Sequence, residues 1–308
     1  MKAIIYEKFG PPEVLHITDI PKPIPKENEV LIKIHATTVH RGDSRMRGLD
    51  LPIPLWQKLM ARLFLGIKGP RRKILGMELA GIVEEIGLNV HKFKVGDKVF
   101  ASTINSNFGA YAEYKCLSVD AIISLMPKNL SFEESATIPN SGFTALGIIR
   151  LANLQKGDKV LIYGASGSVG TFAIQFAKYY SAIVTGVCGT ASLDMVKHLG
   201  ADTVLDYTQT DLSSLNEKFD VVLDAVGKMP ALMKKNLLKP DGIFLDVHKA
   251  SDKIKDKQNM VITELKEFYE NTHYKPVIDR SYSFNEIVEA HRYVDQGHKH
   301  GNVVIKVI

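Results

Sequence analysis

The sequence predicts an α/β protein in which a doubly wound parallel sheet is combined with a partly open β-barrel. From Ser131 onward, predicted helices and strands alternate, which is the pattern of a parallel sheet covered by helices. Before residue 125, short apolar or alternating runs lie between proline and glycine turns, which is typical of a barrel. The chain has 308 residues, and its composition, 45% hydrophobic and 24% charged, is that of a globular protein with two domains.

The N-terminal region is predicted to be mostly strand. Strands are expected at Ala3–Tyr6, Glu29–His35 and Lys98–Phe100. One helix is predicted around Leu55 to Leu65, where Trp56, Met60, Phe64 and Leu65 recur at helical intervals. Such a stripe usually packs into a core, and the alternative is a cap over a binding site.

The region after residue 131 is predicted to contain five strands of a parallel sheet. They are expected at Lys159–Tyr163, Ala182–Val187, Thr203–Asp206, Val221–Asp224 and Gly242–Val247. A lysine-rich polar stretch, Lys249–Lys257, and a helix at Met260–Asn271 follow, and no sixth strand is predicted. The chain ends with an amphipathic helix at Phe284–Val294 and a strand at Val303–Val307.

The first of these strands runs into a glycine turn with the pattern Ala-x-Gly-x-x-Gly, and a helix follows from Ser168. Glycines keep side chains out of the space between backbone and ligand, and a helix N-terminus directs N–H groups and partial positive charge at a phosphate. Together with the next helix and strand, the turn predicts a Rossmann dinucleotide-binding unit. The alternative is an ordinary glycine-rich turn. The predicted contacts are Gly164, Ala165, Ser166, Gly167, Ser168, Val169 and Gly170.

The end of the second strand indicates which dinucleotide is bound. NAD-binding units place an acidic residue there, which accepts hydrogen bonds from the adenosine ribose. This chain has Cys188, Gly189 and Thr190 instead, and along the chain no carboxylate follows before Asp194. Without an acid, a 2′-phosphate meets no repulsion, and Lys178 could supply a compensating charge unless it is simply a solvated helix residue. We therefore predict NADPH rather than NADH, bound in part by Lys178, Cys188, Gly189 and Thr190.

Composition and charge argue against several other classes of protein. The net charge is +5, and the longest basic run is Arg71–Lys73, so nucleic-acid binding is not predicted. No apolar stretch is long enough for a signal sequence or a membrane span, so we expect a cytoplasmic protein. The two cysteines, Cys116 and Cys188, fit a reducing compartment without a disulfide framework.

Several segments, in this order, resemble one family. They are Met1–Ala3, Pro11–Leu15, Gly76–Gly81, Val95–Val99, Gly109–Tyr114, Ser141–Ala145, the glycine turn and Leu199–Asp202. Together they resemble the medium-chain dehydrogenase/reductase superfamily, and most of all its zinc-independent quinone oxidoreductase branch, over nearly the whole chain. The resemblance implies a GroES-like barrel domain formed by residues 1–125 and 272–308, a Rossmann dinucleotide-binding domain at 126–271, and an active site in the cleft between them.

The positions of the zinc ligands in related alcohol dehydrogenases differ in this chain. Those enzymes carry Cys, His and Cys where this sequence has His40, Met77 and Ser141. A thioether and a hydroxyl are poor zinc ligands, and a catalytic zinc needs about three good ones, whereas only His40 remains, beside Glu78. Two cysteines also cannot form the four-cysteine structural site. We therefore expect no metal.

Without a metal, a substrate carbonyl has no Lewis acid, and quinones and enones depend on one least. In these substrates hydride adds to a conjugated carbon, and charge develops on a distant oxygen that needs only hydrogen-bond donors. The hypothesis is an NADPH-dependent oxidoreductase that transfers hydride to quinones or α,β-unsaturated carbonyls. The alternatives are a zinc-free aldehyde or ketone reductase and a non-catalytic NADPH-binding protein.

Two side chains are candidates for catalysis. The resemblance implies that the positions of His40, commonly Asn, and Thr144 lie near the nicotinamide or its phosphate. The His40 imidazole could donate to a substrate oxygen or act as a proton donor near neutral pH, or it could only shape the loop by bonding Asp43. The tyrosines that relatives often have shortly after this loop are absent, and Arg45 and Leu49 lie in the neighbourhood instead. Arg45 would suit an anionic or strongly polar substrate, or would only pair with Asp43 or Asp50.

The resemblance also assigns contacts to the far end of the cofactor. The backbone of Asp224–Gly227, including Val226, would lie along the ribose, and Val247 would approach the nicotinamide carboxamide. Asn302, after His300 and Gly301, replaces the lysine of the usual ending and belongs to a segment that contacts the cofactor. Relatives use a sixth edge strand to form a homodimer, so its predicted absence implies a weak dimer or one that uses another surface.

Overall fold

The computed structural model describes residues 1–50, 54–249 and 258–308. The chain divides into two compact units. Unit 1 comprises Met1–Asn140, Lys266–Asn271 and Ile278–Ile308, and unit 2 comprises Ser141–Leu265 and Thr272–Val277. The domain boundaries expected from the sequence, after residues 125 and 271, stay a prediction. Most of the lysine-rich stretch, residues 250–257, lies outside the described residues.

Strands and helices follow the predicted order. The strands are β1 (Lys2–Ile5), β2 (His16–Asp19), β3 (Glu29–Thr38), β4 (Glu78–Ile86), β5 (Lys98–Ser102), β6 (Tyr114–Ser118), β7 (Ile123–Leu125), β8 (Lys159–Tyr163), β9 (Ile183–Cys188), β10 (Thr203–Asp206), β11 (Phe219–Asp224), β12 (Leu238–Asp246), β13 (Ile278–Ser283) and β14 (Asn302–Lys306). The main α-helices of the described residues are α1 (Arg41–Gly48), α2 (Leu55–Leu65), α3 (Phe132–Ala136), α4 (Ile138–Ala152), α5 (Ser168–Tyr179), α6 (Leu193–His198), α7 (Ala231–Leu237), α8 (Gln258–Asn271) and α9 (Ile287–Asp295).

Unit 1 contains the predicted β-barrel, a curved sheet centred on β3. The strands follow the order β13-β14-β3-β4-β5-β7, and β6 pairs with the first half of β3. Register shifts in the β3–β4 ladder let β3 bend, and alternate side chains such as Val30, Ile32 and Ile34 pack inside. Because Thr37 pairs with Leu79, the end of β3 lies beside the start of β4. This pairing brings the segment 38–40 next to Glu78.

Unit 2 contains the predicted doubly wound sheet. Its strands are parallel in the order β10-β9-β8-β11-β12, and each of the five predicted strands is confirmed, with β12 beginning earlier than expected, at Leu238. The order reverses at β8, so the glycine turn lies at the switch point where such sheets bind ligands. Within the described residues this sheet has five strands.

Two further expectations concern helices. The helix predicted at 284–294 begins as a 3-10 turn, Phe284–Glu286, and continues as α9. Helix α2 has the predicted bounds, but Trp56 and Met60 are exposed, so the interpretation as core packing is wrong for them. In the described part of the chain, none of the helices combines the length and apolar composition that a membrane crossing requires.

Candidate active site

In the glycine turn of unit 2, the protein itself requires glycine at two positions. Gly164 has φ +82°, and a Cβ there would lie 2.5 Å from the side chain of Val226. A Cβ on Gly170 would lie 2.2 Å from the carbonyl oxygen of Gly164, so the first turn of α5 could not pack against the strand end. The sequence departs from the usual fingerprint at Ala165, which stands in place of the first glycine. Its methyl group is buried against Gly186 on β9, where an added Cβ atom would lie only 3.2 Å away. The neighbouring strand thus makes room for this methyl.

Gly167 is different, because the folded chain does not require glycine there. Its φ is −76°, which any residue can adopt, and a Cβ would meet only the Gly164 oxygen, at 3.5 Å. Gly167 is also the N-cap residue of α5 and provides no side-chain cap. The missing side chain leaves space in front of a helix N-terminus, as a bound pyrophosphate needs. The turn therefore fits a dinucleotide, with Ser166, Ser168 and Val169 completing its backbone.

The ends of β9 and β10 lie side by side, since Cys188 pairs with Asp206. Burial, followed by the charge of Asp206, raises the pKa of the Cys188 thiol to about 11, so this thiol is not a nucleophile. Thr190 Oγ1 donates to Asp206 Oδ2 at 2.5 Å, and the hydrogen bonds from Thr190 and Thr208 lower the pKa of the Asp206 carboxyl. A carboxylate thus stands beside Gly189 and Thr190. The sequence-based prediction considered only the residues that follow β9 along the chain. It therefore missed Asp206, which lies at the end of the neighbouring strand β10.

Lys178 lies near the amino-terminal ends of β9 and β10, at the opposite ends of these strands from Cys188 and Asp206. Its ammonium donates to both carboxylate oxygens of Asp202, at 3.0 and 2.8 Å, and to the carbonyl oxygen of Ala182, just before β9 begins. The Cys188–Thr190 segment follows the other end of that strand. We therefore correct the sequence-based assignment and leave Lys178 out of the cofactor site.

The loop after β11 is shaped by a buried carboxylate. Asp224 accepts hydrogen bonds from the backbone N–H groups of Val226, Gly227 and Met229, at 3.0, 2.8 and 2.7 Å. Gly227 has φ +75°, and a Cβ there would lie 2.4 Å from the imidazole of His248. Asp224 therefore positions the loop, while the half-exposed side chain of Val226 is available to a ligand.

Three other predicted cofactor residues lie on different elements. Val247 directly follows β12 in unit 2, and Asn302 is buried at the start of β14 in unit 1. Thr144 is half-buried on α4. One turn earlier on the same helix, the buried hydroxyl of Ser141 has no hydrogen-bond partner among the described residues. An unsatisfied buried hydroxyl is costly, and it marks Ser141 as a further candidate for a polar ligand contact.

In unit 1, a buried carboxylate stands at the start of β4. Glu78 accepts hydrogen bonds from Thr38 Oγ1 at 2.5 Å and from the backbone N–H of Asn140 at 2.9 Å. Burial raises the pKa of Glu78 to about 7, although these two donors and the charge of Lys299 favour the ionised form. The sequence singled out Glu78 only as a neighbour of His40, and its partners Thr38 and Asn140 were missed.

His40 caps helix α1, and the cap determines its tautomer. The backbone N–H of Gly42 donates to His40 Nδ1 at 3.1 Å, so in the neutral ring the proton is on Nε2, which is a hydrogen-bond donor. Desolvation, followed by the charges of Lys299 and Arg45, lowers the pKa of His40 to about 4. The lowered pKa favours the neutral imidazole at pH 7, which supports the hydrogen-bond donor rather than the proton donor, and the catalytic assignment of His40 stays a prediction.

The Asp43 carboxylate holds the loop that carries His40. It accepts from the backbone N–H groups of His40, at 3.0 Å, and Gly76, at 2.9 Å, and the Tyr111 hydroxyl also bonds it. Burial raises the pKa of Asp43 to about 7, opposed by these three donors. His40 thus bonds Asp43 through its backbone, which leaves the imidazole Nε2–H free of that role.

Arg45 is half-buried on α1, and no ion pair within 4 Å joins it to Asp43 or Asp50 among the described residues. Desolvation, followed by the charge of Arg41, lowers its pKa. The salt-bridge alternative is therefore not supported, and the catalytic assignment of Arg45 stays a prediction.

Lys299 is a residue that the sequence analysis missed, although it adjoins His300 and Gly301. Its ammonium donates to the carbonyl oxygen of Gly301 at 2.6 Å. Desolvation lowers the pKa of Lys299 to about 8, while the charges of Asp279 and Glu78 oppose this shift. The same ammonium lowers the pKa values of Glu78 and His40, so the three groups form one electrostatic cluster. The position of this lysine, two residues before Gly301, is the sequence signal that could have identified it as a site residue.

The donor set around His40 does not fit zinc. The thioether of Met77 packs beside His40 Nδ1. A Cβ atom added to Gly42 would lie 2.7 Å from the Met77 sulfur and 3.1 Å from His40 Nδ1, so these two atoms are neighbours. His40 Nδ1 and both oxygens of Glu78 already accept hydrogen bonds. Across residues 1–50, 54–249 and 258–308, no group of three His, Cys, Asp or Glu side chains is arranged to hold a metal ion.

Two family models match the chain in the expected order. Residues 26–128 match the alcohol dehydrogenase GroES-like domain, and residues 199–305 match a model described as zinc-binding dehydrogenase. The second match covers the end of the nucleotide sheet and the final strands. It carries the name of zinc enzymes, although the residues around His40 lack their ligands.

Curated relatives and solved structures are similar along the whole chain. A 2-methylene-furan-3-one reductase from Solanum lycopersicum is 31% identical, and the match covers 100% of this chain and 79% of that protein. An NADPH-dependent alkenal/one oxidoreductase, chloroplastic, from Arabidopsis thaliana is 29% identical, with coverages of 99% and 79%. The structure of the quinone oxidoreductase from Coxiella burnetii superposes with a TM-score of 0.85 at 30% identity, covering 100% of this chain and 99% of that one.

Proposed function

The chain belongs to the medium-chain dehydrogenase/reductase superfamily, in its zinc-independent quinone oxidoreductase-like branch, and we propose on this basis that it is an NADPH-dependent reductase of quinones or α,β-unsaturated carbonyls. An oxidoreductase that binds a nicotinamide cofactor follows from the family itself. The observation that carries the finer proposal is the neutral imidazole of His40, a hydrogen-bond donor where related enzymes hold zinc.

The proposed cofactor site uses the carboxyl edge of the unit 2 sheet. Gly164 to Gly170 would hold the pyrophosphate, and the segment Cys188–Thr190 and the loop Asp224–Gly227 would hold the two riboses. Thr144, Val247 and Asn302 remain proposed contacts of the nicotinamide end. Bound NADPH supplies a hydride. The preference for NADPH is supported by the name of the Arabidopsis relative. Asp206 argues against this preference, because its negative charge beside Thr190 would repel a 2′-phosphate.

The proposed substrate class follows from what the chain offers a developing anion. Hydride addition to a quinone or enone puts negative charge on an oxygen, which a neutral N–H donor stabilises without a metal. His40 Nε2–H is such a donor, and the ammonium of Lys299 favours negative charge in the same region. A saturated ketone needs stronger polarisation at the carbon that is reduced, so it is the poorer substrate. Arg45 remains the proposed contact for an anionic or polar group of the substrate.

The proposal is tested by following NADPH oxidation with quinones, enones and saturated aldehydes, with NADH in parallel and after dialysis against a chelator. We expect turnover of quinones or enones, little turnover of saturated aldehydes, and no effect of the chelator. Tight NADPH binding without turnover of any of these substrates would instead indicate a non-catalytic binding protein. Activity limited to saturated carbonyls would favour the aldehyde or ketone reductase.

Three other parts of the proposal concern the whole protein. The domains would divide at residues 125 and 271, and a dimer, if formed, would not continue the unit 2 sheet across subunits. The cytoplasm remains the proposed location. A tight dimer in light scattering, with a structure of that dimer in which the unit 2 sheet continues across subunits, would refute the proposal about the dimer.

A further inference from the structure

We propose that helix α2 and the basic segment after it dock on the surface of a lipid bilayer that carries anionic lipids. The docking surface comprises residues 55–73, and we call it the α2 surface. The proposal rests on exposure and charge in unit 1, and it does not depend on the identity of the reduced substrate.

The outer face of α2 is apolar. Trp56, Leu59, Met60 and Leu63 are 65%, 63%, 60% and 51% exposed. Their spacing of i, i+3, i+4 and i+7 places all four on one side of the helix, and Ile67, just beyond its end, is 60% exposed. A protein in water seldom leaves so many large apolar side chains together on its surface unless they meet a partner.

The charge of the same segment is entirely positive. Residues 55–73 contain no Asp or Glu, and their cations are Lys58, Arg62, Lys68, Arg71, Arg72 and Lys73. Among the ion pairs of the described residues, only two of these cations have an acidic partner. Lys58 lies 3.9 Å from Asp50, and Lys73 lies 3.1 Å from Glu7.

The arginines keep their charge available. Arg62 and Arg71 donate to the carbonyl oxygens of Ile67 and Leu63, at 3.2 and 3.1 Å, and carbonyl oxygens do not neutralise a guanidinium. The guanidinium of Arg72 lies 5.4 Å from the ring centre of Phe108, which also leaves its charge in place. Arg62 therefore borders the apolar face on the helix, and Lys68, Arg71, Arg72 and Lys73 follow directly after the helix.

An apolar face bordered by cations fits an anionic membrane surface better than a second copy of the chain. Apolar side chains enter the region between headgroups and acyl chains, Trp prefers that depth, and Lys and Arg reach the lipid phosphates. A two-fold dimer through this surface would oppose two sets of the same six cations. The helix has 11 residues, about 16 Å, so it would lie in the plane of the interface.

Trp56 provides a direct measurement, because it is the only tryptophan of the chain. The full-length protein is mixed with phosphatidylcholine vesicles, with or without phosphatidylserine. We expect a blue shift of tryptophan emission and co-sedimentation only with phosphatidylserine present, both decreasing as salt is added. No shift and no co-sedimentation with the anionic vesicles would overturn the proposal, and so would equal binding to neutral vesicles.

Variants separate the two components of the surface. Leu59→Ser with Leu63→Ser should weaken binding to anionic vesicles about tenfold or more, since two apolar side chains no longer leave water. Lys68→Glu with Arg72→Glu should weaken it similarly and reduce its salt dependence, because the segment loses most of its net positive charge. The control is Leu88→Ser, which changes a side chain that is 89% exposed in a turn after β4 and should bind as the unchanged protein does.

Melting temperatures of all variants establish that they are folded. A self-association that Leu59→Ser with Leu63→Ser abolishes, in sedimentation velocity without lipid, would assign the surface to a second copy and overturn the proposal. Unchanged vesicle binding by both double variants would also overturn it.

Discussion

The Nδ1 atom of His40 accepts a backbone hydrogen bond, and this single contact determines what the side chain can do. Because Nδ1 is an acceptor, the ring proton is on Nε2, and because the pKa is lowered to about 4, the ring stays neutral. The residue type alone allows a proton donor, a metal ligand or a loop residue. Only its surroundings select the neutral donor.

Replacing His40 tests this role. We expect His40→Ala to lower kcat for quinone or enone reduction about 100-fold, the usual cost of losing one donor to a developing oxyanion. His40→Asn should retain most activity, because its amide also donates and Asn is a good helix cap. Steady-state kinetics between pH 6 and 9 provide the measurement, and circular dichroism confirms that α1 persists. Equal activity of His40→Ala and the unchanged protein would exclude His40 from the reaction.

Lys299 is expected to control the titration of its neighbours. Its positive charge lowers the pKa of both His40 and Glu78, so Lys299→Met should raise the pKa of His40 towards its ordinary value. The imidazole proton signals of His40, followed by NMR over pH, report this shift without any substrate. Lys299→Arg keeps the charge and serves as the control. A His40 pKa that is the same in both variants would show that Lys299 does not act on it.

Asp206 is expected to oppose NADPH. Its carboxylate, held by Thr190 and Thr208, would face the 2′-phosphate if the segment Cys188–Thr190 holds the adenosine ribose. Asp206→Asn keeps the acceptor oxygen and removes the charge, so kcat/KM for NADPH relative to NADH should rise about tenfold. Asp211→Asn, on an exposed turn, is the matched control. A ratio unchanged by Asp206→Asn would place the ribose elsewhere.

The strand–turn–helix element from β8 to α5 contains glycines of two kinds. Gly164 and Gly170 are required by the packing of the element itself, whereas Gly167 is not. A sequence pattern cannot distinguish them, because it records only where side chains are missing. The distinction depends on whether protein or empty space lies in front of the missing Cβ.

Two alanine substitutions should therefore have opposite effects. Gly167→Ala should leave the free energy of unfolding within about 1 kcal/mol of its original value but abolish most NADPH binding, because the methyl occupies the ligand's space. Gly170→Ala should destabilise the fold by about 1–3 kcal/mol or more, because its Cβ would lie 2.2 Å from the Gly164 oxygen. Urea unfolding and fluorescence titration with NADPH measure the two quantities. Full NADPH affinity in Gly167→Ala would contradict a phosphate site at this turn.

For the molecule as a whole, the sequence predicted what depends on local pattern and missed what depends on neighbours from distant segments. Period and turn residues sufficed for the five strands of unit 2 and the bounds of α2. Asp206 was missed because strand pairing places it beside the end of β9, and Lys299 was missed because the return of the chain end brings it near His40 and Glu78 in unit 1. The exposure of Trp56 was also missed, since helical spacing gives a face but not what covers it.

The buried titratable groups of unit 1 also predict how stability depends on pH. Asp43 and Glu78, with pKa values raised to about 7, bind a proton more tightly when folded, so their contribution to stability decreases as pH rises from about 4 to 7. His40 and His291, with pKa values lowered to about 4 and 3, bind a proton more weakly when folded. Their contribution, joined by that of His35, increases up to about pH 6.5.

These opposite slopes give a definite profile. Acids and histidines compensate between about pH 4.5 and 6.5. Above that range the two acids continue to lose protons, and Lys299, whose pKa is lowered to about 8, opposes them only as pH 8 is reached, so stability should still decline between about pH 6.5 and 8. Melting temperatures in buffers of equal ionic strength provide the measurement. Glu78→Gln should reduce the decline by about half, because it removes one of two acids that ionise there. A melting temperature that rises from pH 6.5 to 8 would show that Asp43 and Glu78 are already ionised in the folded protein, held in that form by the hydrogen bonds from Thr38, Tyr111 and the backbone.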